Sequence, residues 1–215
     1  MRRMRASTGR WFEVRGARLD DAGAAEALFL EPPGGLNAMI TDLAARLRIA
    51  RAAFSARGTG FSFERTLVAD RDGQVLGLLA RVPGAAWPQT RIRTGMVMLR
   101  AAGIRWGPSL VKLGRLEERD MRPVGDDVLY VVSLAVDPEW RSRGIGRALL
   151  SRVQEEAARA GLRAVALDVA AGNREAIRFY VREGFAKVEG GAGRAEAPAL
   201  IRMERPVVSR LRSHT

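Results

Sequence analysis

The chain of 215 residues contains no cysteine, which excludes disulfide bonds, thiolate catalysis and cysteine-ligated zinc within it. Apolar residues make up 47% of the sequence, enough for one folded domain with a sizeable core. The formal net charge is +12, and a basic surface attracts polyanions. Nucleic acid therefore stays open as a partner but is not favoured, because no nucleic-acid-binding motif is present.

The N-terminal segment is basic and lacks the apolar core of a secretory signal, so we expect residues 1–10 to form a solvated tail. No apolar run reaches the roughly 18 residues that a membrane-spanning helix needs. We therefore expect a cytoplasmic protein with no membrane partner.

The first part of the chain predicts a strand followed by two helices. Residues 11–17 are predicted to form the strand, and Asp20 or Asp21 can cap a helix that runs to about Leu30. A second helix is predicted over residues 36–56. There, apolar residues recur at helical spacing, at Met39, Leu43, Leu47 and Ala50.

A β-hairpin and a long insertion are predicted next. Asp72 and Gly73 are a strong turn signal between apolar runs at residues 65–70 and 75–82. Residues 84–126 are longer than an ordinary loop. Their apolar spacing predicts two short amphipathic helices that are divided at Gly107 and Pro108.

The clearest pattern is a strand, a glycine-containing loop and a helix. Residues 127–136 are rich in β-branched residues and stop before Pro138, which is typical of a buried strand. Apolar residues then recur every four positions up to the helix end at Gly161, at Ile145, Leu149, Val153 and Ala157. The loop 141–146 places arginines and glycines at a helix N-terminus, where a pyrophosphate can bind. A simple glycine turn on a basic helix is the alternative.

The chain ends with one more helix and three more strands. Residues 162–169 are apolar on both faces, as in a buried parallel strand, and Asn173 can cap a helix that Gly184 ends. The last two strands are predicted over residues 185–189 and 199–206. The only histidine, His214, falls in a predicted tail over residues 207–215, so no histidine base is expected.

Two sequence blocks in the second half of the chain resemble a known family. The first is Arg-x-x-Gly-x-Gly over residues 141–146, shortly after Val-Asp-Pro at 136–138. The second is Asn-x-x-Ala-x-x-Phe-Tyr-x-x-x-Gly-Phe over residues 173–185. In order and spacing they are similar to the acyl-CoA-binding segments of the GCN5-related N-acetyltransferase (GNAT) superfamily. The resemblance is dense over residues 127–189 and absent over residues 84–126.

This resemblance implies an α/β protein with the GNAT fold, a mixed central sheet of about six to seven strands flanked by helices. It implies a single domain over residues 11–206, with residues 84–126 as a helical insertion between strands 3 and 4. The insertion is expected either to cover the acceptor site as a lid or to pack as additional core or a dimer contact. The sequence leaves these choices, and a homodimer, open.

The implied activity is direct transfer of an acetyl group from acetyl-CoA to a primary amine, without a metal. The family pattern places the cosubstrate against the fourth strand, the glycine loop and the second block. The residues concerned are Leu134, Ala135, Val136, Arg141, Ser142, Arg143, Gly144, Ile145, Gly146, Arg147, Ala148, Asn173, Ala176, Phe179 and Tyr180. Tyr180 is the expected catalytic residue, because a phenol can protonate the departing thiolate.

Other roles stay open at several positions. Asn173 can serve only as a helix cap, Phe179 as core, and the three arginines as solvated side chains. No general base stands out among the candidates, which are Glu117, Glu118, Asp120, Asp126, Asp127, Tyr130 and Ser133. The acceptor can be a small molecule or a protein. The alternative function is a catalytically inactive binding module of the same fold, or a basic nucleic-acid-binding protein.

Overall fold

A mixed β-sheet forms the centre of the computed structural model. Its strands are β1 Glu13–Gly16, β2 Thr66–Arg71, β3 Gln74–Pro83, β4 Val128–Val136, β5 Ala164–Ala170, β6 Ala186–Lys187 and β7 Leu200–Pro206. They lie in the order β1-β2-β3-β4-β5-β7-β6. Among the described strands, only β4 and β5 pair in parallel. The sheet confirms the predicted fold class.

The structure describes residues 11–31, 36–120, 122–188 and 200–207. The predicted tail over residues 1–10 and His214 lie outside the described residues. Within those ranges, no helix combines the length and the apolar content needed to cross a bilayer.

Helices cover both faces of the sheet. They are α1 Ala22–Phe29, α2 Leu36–Met39, α3 Leu43–Ser55, α4 Trp87–Asp120, α5 Ile145–Arg159 and α6 Arg174–Arg182. On one face, α5 and α6 enclose the main core, in which Leu149 and Leu167 are almost fully buried. On the other face, Phe54 of α3 packs with α1 over Val68 and Leu78.

Several local predictions are confirmed. Asp72 and Gly73 both have positive φ angles, 52° and 89°, in the turn that joins β2 to β3. The side chain of Asn173 caps α6 by accepting a hydrogen bond from the N–H of Ala176 at 3.0 Å. These elements were predictable because a turn or a cap is specified by the residues at the position itself.

The prediction of one helix over residues 36–56 is wrong, because Asp42 begins a new helix within it. The Asp42 carboxylate accepts a hydrogen bond from the N–H of Ala45 at 3.2 Å and so caps α3. The buried face of α3 includes Ile49 and Phe54, whereas Leu43 of the predicted stripe is 55% exposed.

The predicted cap of the first helix is also wrong. Asp21 directly precedes α1, but its carboxylate does not cap that helix. It accepts hydrogen bonds from the guanidinium of Arg15 at 2.8 Å and from the N–H of Arg18 at 2.7 Å. Burial opposes the charged form of Asp21, but these hydrogen bonds outweigh it and hold its pKa below the usual value. Asp21 therefore links β1 to the segment that follows it through these hydrogen bonds.

The insertion between β3 and β4 consists of two helical segments, as predicted, but they divide at Gly103 and not at Gly107 and Pro108. Gly103 has φ 65° and ψ −171°, which is outside the helical region. Glycine adopts a positive φ without a steric penalty, because it has no Cβ. Pro108 lies inside the second segment and does not mark the break.

The buried side of α4 also differs from the predicted apolar stripe. Thr90 and Thr94 are almost fully buried, whereas Ile92 and Met96 are 63% and 55% exposed. The Thr94 hydroxyl accepts a hydrogen bond from the N–H of Gly60 at 2.8 Å. This contact turns the threonine side of the helix toward the rest of the protein and leaves the apolar side facing outward.

Candidate active site

The central feature of the site is an opening between β4 and β5. These strands pair only as far as Val131 opposite Leu167, although both continue beyond that point. The register of β4 with β3 shifts at the same place, so that Val132 has no partner on β3. A bulge of this kind bends a strand and increases its twist. A wedge therefore opens between residues 132–136 of β4 and 168–170 of β5.

The register also determines which backbone N–H groups of β4 point into this opening. The N–H of Asp137 donates to the carbonyl of Leu76 at 3.0 Å. Hydrogen-bonded and non-hydrogen-bonded pairs alternate along an antiparallel ladder, so Ala135 also directs its N–H toward β3. The N–H groups of Leu134 and Val136 consequently point to the β5 side. Of the three strand residues expected to bind the cosubstrate, Ala135 therefore presents no backbone donor to the opening.

A loop rich in backbone donors lies at the end of β4. Ser142 and Gly144 have φ angles of 61° and 83°, and α5 begins at Ile145. The backbone N–H groups of residues 142–147 have no acceptor among the described residues. Successive N–H groups of this kind, next to the positive end of a helix dipole, form a concave site for an anion.

The two glycines of this loop serve different purposes. A Cβ on Gly144 would meet no atom within 4 Å, so the space in front of the loop is open. A Cβ on Gly146 would lie 3.0 Å from Cζ of Phe179, on α6. Gly144 therefore leaves room for a ligand, whereas Gly146 allows α6 to pack closely against the start of α5.

Arg141 and Arg143 both contact the protein itself. Nε of Arg141 donates to the carbonyl of Val136 at 3.1 Å, and its Nη2 lies 3.0 Å from Glu31. The guanidinium of Arg143 lies 4.9 Å from the ring centroid of Trp140. Both side chains are exposed, and their charge adds to the positive potential of the loop.

The other predicted residues near this helix start divide into surface and core positions. Arg147 forms an exposed ion pair with Glu183 at 3.3 Å, and Ser142 is exposed. Ile145 and Ala148 are 1% and 3% exposed and belong to the main core. Their side chains therefore hold the helix in place, and only their backbone can face a ligand.

Tyr180 lies in the apolar cluster that also contains Leu134 and Val136. Its ring is 5.3 Å from that of Phe179 and 5.7 Å from that of Phe185. Burial raises the pKa of Tyr180 to about 12. Among the described residues its hydroxyl has no hydrogen-bond partner, so at neutral pH it is a neutral donor that is not engaged by the protein.

The sequence of residues 44–185, well over half of the chain, matches the profile of the acetyltransferase (GNAT) family. The chain belongs to the acetyltransferase (GNAT) family. The predicted family is thereby confirmed, and the strand order and the opening described above are the GNAT fold of this chain.

Similar proteins match this GNAT chain over limited lengths. An uncharacterized N-acetyltransferase of Methanocaldococcus jannaschii is 43% identical over 63 residues, which are 29% of this chain and 28% of that protein. The ribosomal protein bS18-alanine N-acetyltransferase of Escherichia coli K12 is 33% identical over 76 residues, 35% of this chain and 51% of that protein. The chain thus matches only about a quarter to a half of the length of these relatives.

The fold match is much more extensive. The crystal structure of an N-acetyltransferase from Staphylococcus aureus Mu50 aligns with a TM-score of 0.66. The alignment covers 91% of this chain and 100% of that one at 16% sequence identity. At this identity the likeness shows a shared fold and says nothing about a shared substrate.

The GNAT opening contains a carboxylate that sequence reasoning missed. Asp168 is the first β5 residue beyond the part of the strand that pairs with β4. Its carboxylate accepts hydrogen bonds from the hydroxyl of Tyr130 at 2.9 Å and from Nε of Arg202 at 2.8 Å. The side chains of Asp168 and Arg202 are 7% and 4% exposed. The available signal was Asp168 itself, a single charged residue in the otherwise apolar strand β5.

Of the described candidates for a general base, only Ser133 lies on the part of β4 that borders the opening. The carboxylate of Asp127 is bound by Arg163 at 2.9 Å at the opposite end of β4, and Asp126 is exposed next to it. Tyr130 donates its hydroxyl to Asp168. The side chains of Glu117, Glu118 and Asp120 lie outside the described part of the structure. Within the described ranges, no group of three or more potential metal-ligating side chains occurs.

The start of α4 borders the bulge of β4. A Cβ on Gly60 would lie 3.6 Å from Cγ1 of Val132 and 3.7 Å from Oγ1 of Thr94. Next to this contact is a cavity of about 440 Å³. Its lining residues are Arg57, Gly58, Glu64, Arg65, Ala86, Gln89, Thr90 and Arg93. The α4 helix thus forms one wall beside the opening.

Proposed function

We propose that this GNAT protein is an N-acetyltransferase that moves an acetyl group from acetyl-CoA to a primary amine. The observation that carries the proposal is the row of backbone N–H groups at residues 142–147, which have no acceptor among the described residues. This row stands at the start of α5, at the end of the opening between β4 and β5. A row of free backbone N–H groups at a helix start can bind a pyrophosphate. The opening between β4 and β5 can hold the extended pantetheine arm that carries the thioester.

In this proposal the N–H groups of residues 142–147 bind the pyrophosphate of CoA. The open space in front of Gly144 fits this role, because a phosphate must approach the backbone closely. The N–H groups of Leu134 and Val136 bind the pantetheine arm and polarise the thioester carbonyl. Backbone donors that are already oriented stabilise the negative charge that develops on that oxygen.

Tyr180 supplies the proton for the departing sulfur. The attacking nitrogen forms a bond to the acetyl carbon, the carbon–sulfur bond breaks, and the sulfur takes the hydroxyl proton of Tyr180. The proton released by the amine then restores the hydroxyl. At neutral pH the phenol carries its proton, so it can donate without first having to gain one.

We assign no general base to this protein. Asp168 is the carboxylate of the opening, but both of its oxygens accept hydrogen bonds from the guanidinium of Arg202. Direct attack by the fraction of the amine that is already neutral requires no base residue.

The acceptor is an amine on either a protein or a small molecule. The E. coli relative is named for an alanine of a ribosomal protein, which supports a protein amine as one choice. The position of α4 beside the β4 bulge supports its proposed role as an acceptor-site wall. We retain one domain over residues 11–206 as part of this proposal.

The proposal is tested by calorimetric titration of the full chain with acetyl-CoA, with CoA and ADP as further ligands. Gly144→Glu is expected to abolish binding, because a carboxylate at the loop occupies and repels the phosphate position. Gly73→Glu is the matched control. Gly73 has a φ of 89°, close to the 83° of Gly144, and likewise has open space at its Cβ.

Both variants bear the same backbone strain and the same added charge, so only their positions differ. Unchanged acetyl-CoA affinity in Gly144→Glu would show that the pyrophosphate does not bind this loop. Amine-dependent release of the CoA thiol then tests the transfer itself. Acetyl-CoA binding without thiol release for protein and small-molecule amines alike would instead favour the catalytically inactive alternative.

A further inference from the structure

The outer side of α4 exposes a concentration of large apolar side chains. Ten large hydrophobic residues are well exposed in the described structure, and six of them lie on this one helix. They are Ile92, Met96, Leu99, Ile104, Val111 and Leu116. Ile104, directly after the break at Gly103, is 98% exposed. Apolar exposure of this extent on one element is typical of an interaction site.

The same helix is strongly basic. Of the 24 acidic residues in the chain, none falls between residues 73 and 116. The cations of α4 in that stretch are all exposed, and they are Arg91, Arg93, Arg100, Arg105, Lys112 and Arg115. A general preference for arginine over lysine does not explain the absence of acidic residues here. The charge therefore belongs to this surface rather than to the composition alone.

The cations flank the apolar residues on the helix surface. Ile92, Met96 and Leu99 follow the i, i+4, i+7 spacing and share one side of the first segment. At about 100° per residue, Arg91 lies to one side of this row and Arg100 to the other. In the second segment, Ile104 and Val111 repeat the i, i+7 spacing. Each is followed directly by a cation, at Arg105 and Lys112 respectively.

We propose that this outer face of α4 binds the surface of an anionic lipid bilayer and lies in its interface. An apolar row flanked by basic residues is the pattern of interfacial helices. The apolar side chains enter the boundary of the acyl chains, while the long arginine side chains reach back to the anionic headgroups. No described helix crosses a bilayer, so contact with the membrane takes place along one side of the helix. This proposal differs from the expectation, drawn from the sequence, that the protein has no membrane partner.

Two other occupants match the surface less well. A second copy of this chain, packed through the same face, brings the cations of one α4 against those of the other, and like charges repel across an interface. Nucleic acid matches the charge, but its polar backbone gives Ile104 and the other apolar side chains no place away from water. A bilayer surface matches both the charge and the apolar row.

Cosedimentation of the full chain with vesicles tests this inference without relying on acetyltransferase activity. The probes are vesicles of phosphatidylcholine containing phosphatidylglycerol, with vesicles of pure phosphatidylcholine as the reference. We expect the protein to bind the anionic vesicles, and the binding to weaken as salt is added. Equal binding to both kinds of vesicle, or none to either, would overturn the proposal.

A double substitution on the face, Ile92→Glu with Met96→Glu, is compared with Leu43→Glu and Val181→Glu elsewhere on the surface. The first pair is 63% and 55% exposed, and the second is 55% and 54% exposed. Both double variants lower the net charge equally. Each charge next to an anionic membrane changes partition by about fivefold. With the lost apolar contacts, the α4 variant should therefore lose more than about a hundredfold in partition coefficient.

The control variant should lose much less, because its new charges lie away from the bilayer. Equal losses in both variants would mean that net charge alone attracts the protein, and the proposal would fail. The double variant Ile92→Gln with Met96→Gln removes the apolar groups without adding charge. Wild-type binding by this variant would also refute the proposed face.

Other outcomes would assign the face to a different partner. If sedimentation equilibrium shows a dimer that only the α4 variant dissociates, and no vesicles are bound, the face belongs to a second copy of the chain. DNA binding lost only in the α4 variant, with no vesicle binding, would assign it to nucleic acid.

Discussion

Replacing Tyr180 with phenylalanine separates a chemical role of its hydroxyl from a structural one. The ring remains and keeps its contacts with Phe179 and Phe185. The hydroxyl has no protein partner among the described residues, so its removal leaves no other group unpaired. Removing a hydroxyl that makes no hydrogen bond to the protein takes no such bond from the folded state. The free energy of unfolding should therefore stay the same or rise.

Tyr130→Phe is the matched control, because the chain contains only two tyrosines. Tyr130 is 3% exposed, and its hydroxyl donates to the Asp168 carboxylate at 2.9 Å. A hydrogen bond to a charged group contributes about 1.5–3 kcal/mol. We expect Tyr130→Phe to lower the free energy of unfolding by roughly that amount. Denaturant unfolding measures the free energy of unfolding of both variants, and the two values can be compared if the dependence on denaturant concentration is unchanged.

For turnover we expect the reverse of the effect on stability, with the larger loss in Tyr180→Phe. Loss of a positioned proton donor lowers turnover by about 10²–10⁴-fold. We expect such a loss in Tyr180→Phe with little change in acetyl-CoA affinity, because the phenyl ring still fills the same space. A Tyr180→Phe protein with wild-type turnover and a stability loss like that of Tyr130→Phe would refute the reasoning.

Alkaline titration tests the burial of Tyr180 directly. Burial raises the pKa of Tyr180 from 10.0 to about 12, so the folded protein holds this proton more tightly than the unfolded chain does. Stability is therefore unaffected below pH 10 and falls as the pH rises toward 12. A pKa difference of this size corresponds to about 2.7 kcal/mol at most. The fall should be absent in Tyr180→Phe, and the tyrosinate absorbance of Tyr130→Phe should report Tyr180 alone.

Three further substitutions test the packing of the site through the free energy of unfolding. Gly146→Ala places a Cβ 3.0 Å from Cζ of Phe179, and overpacking of this kind should cost about 1–3 kcal/mol. Asn173→Ala removes the cap of α6 and should cost about 1 kcal/mol. Arg202→Met leaves the carboxylate of Asp168 buried without its cation and should cost about 3–5 kcal/mol.

Each of these values has an outcome that contradicts it. Wild-type stability in Gly146→Ala would show that Phe179 moves aside freely. An unchanged Asn173→Ala protein with weaker acetyl-CoA binding would mean that Asn173 serves the ligand instead of the helix. For Arg202→Met the control is Arg159→Met, which breaks an exposed ion pair and should change stability by no more than about 1 kcal/mol. Equal effects of these two substitutions would disprove the argument from burial.

The sequence by itself determined those parts of the molecule that depend on neighbouring residues. The turn at Asp72 and Gly73, the Asn173 cap and the glycine loop before α5 all have signals within a few positions. The family could be assigned from the loop and the block around Tyr180 for the same reason, because an anion site at a helix N-terminus is built from consecutive backbone groups.

Only the tertiary structure decided which residues of different elements meet. The unpaired Val132 and the inward side of α4 follow from packing against β3 and Gly60, which local spacing does not encode. Asp168 and Arg202 form a buried ion pair although 34 positions separate them in the chain. Periodicity shows that a helix has an apolar side. It does not show that this side is buried, because a side that carries hydrogen-bonded threonines can face the protein interior instead. For this reason the outward row on α4, the basis of the proposed membrane contact, was visible only in the folded protein.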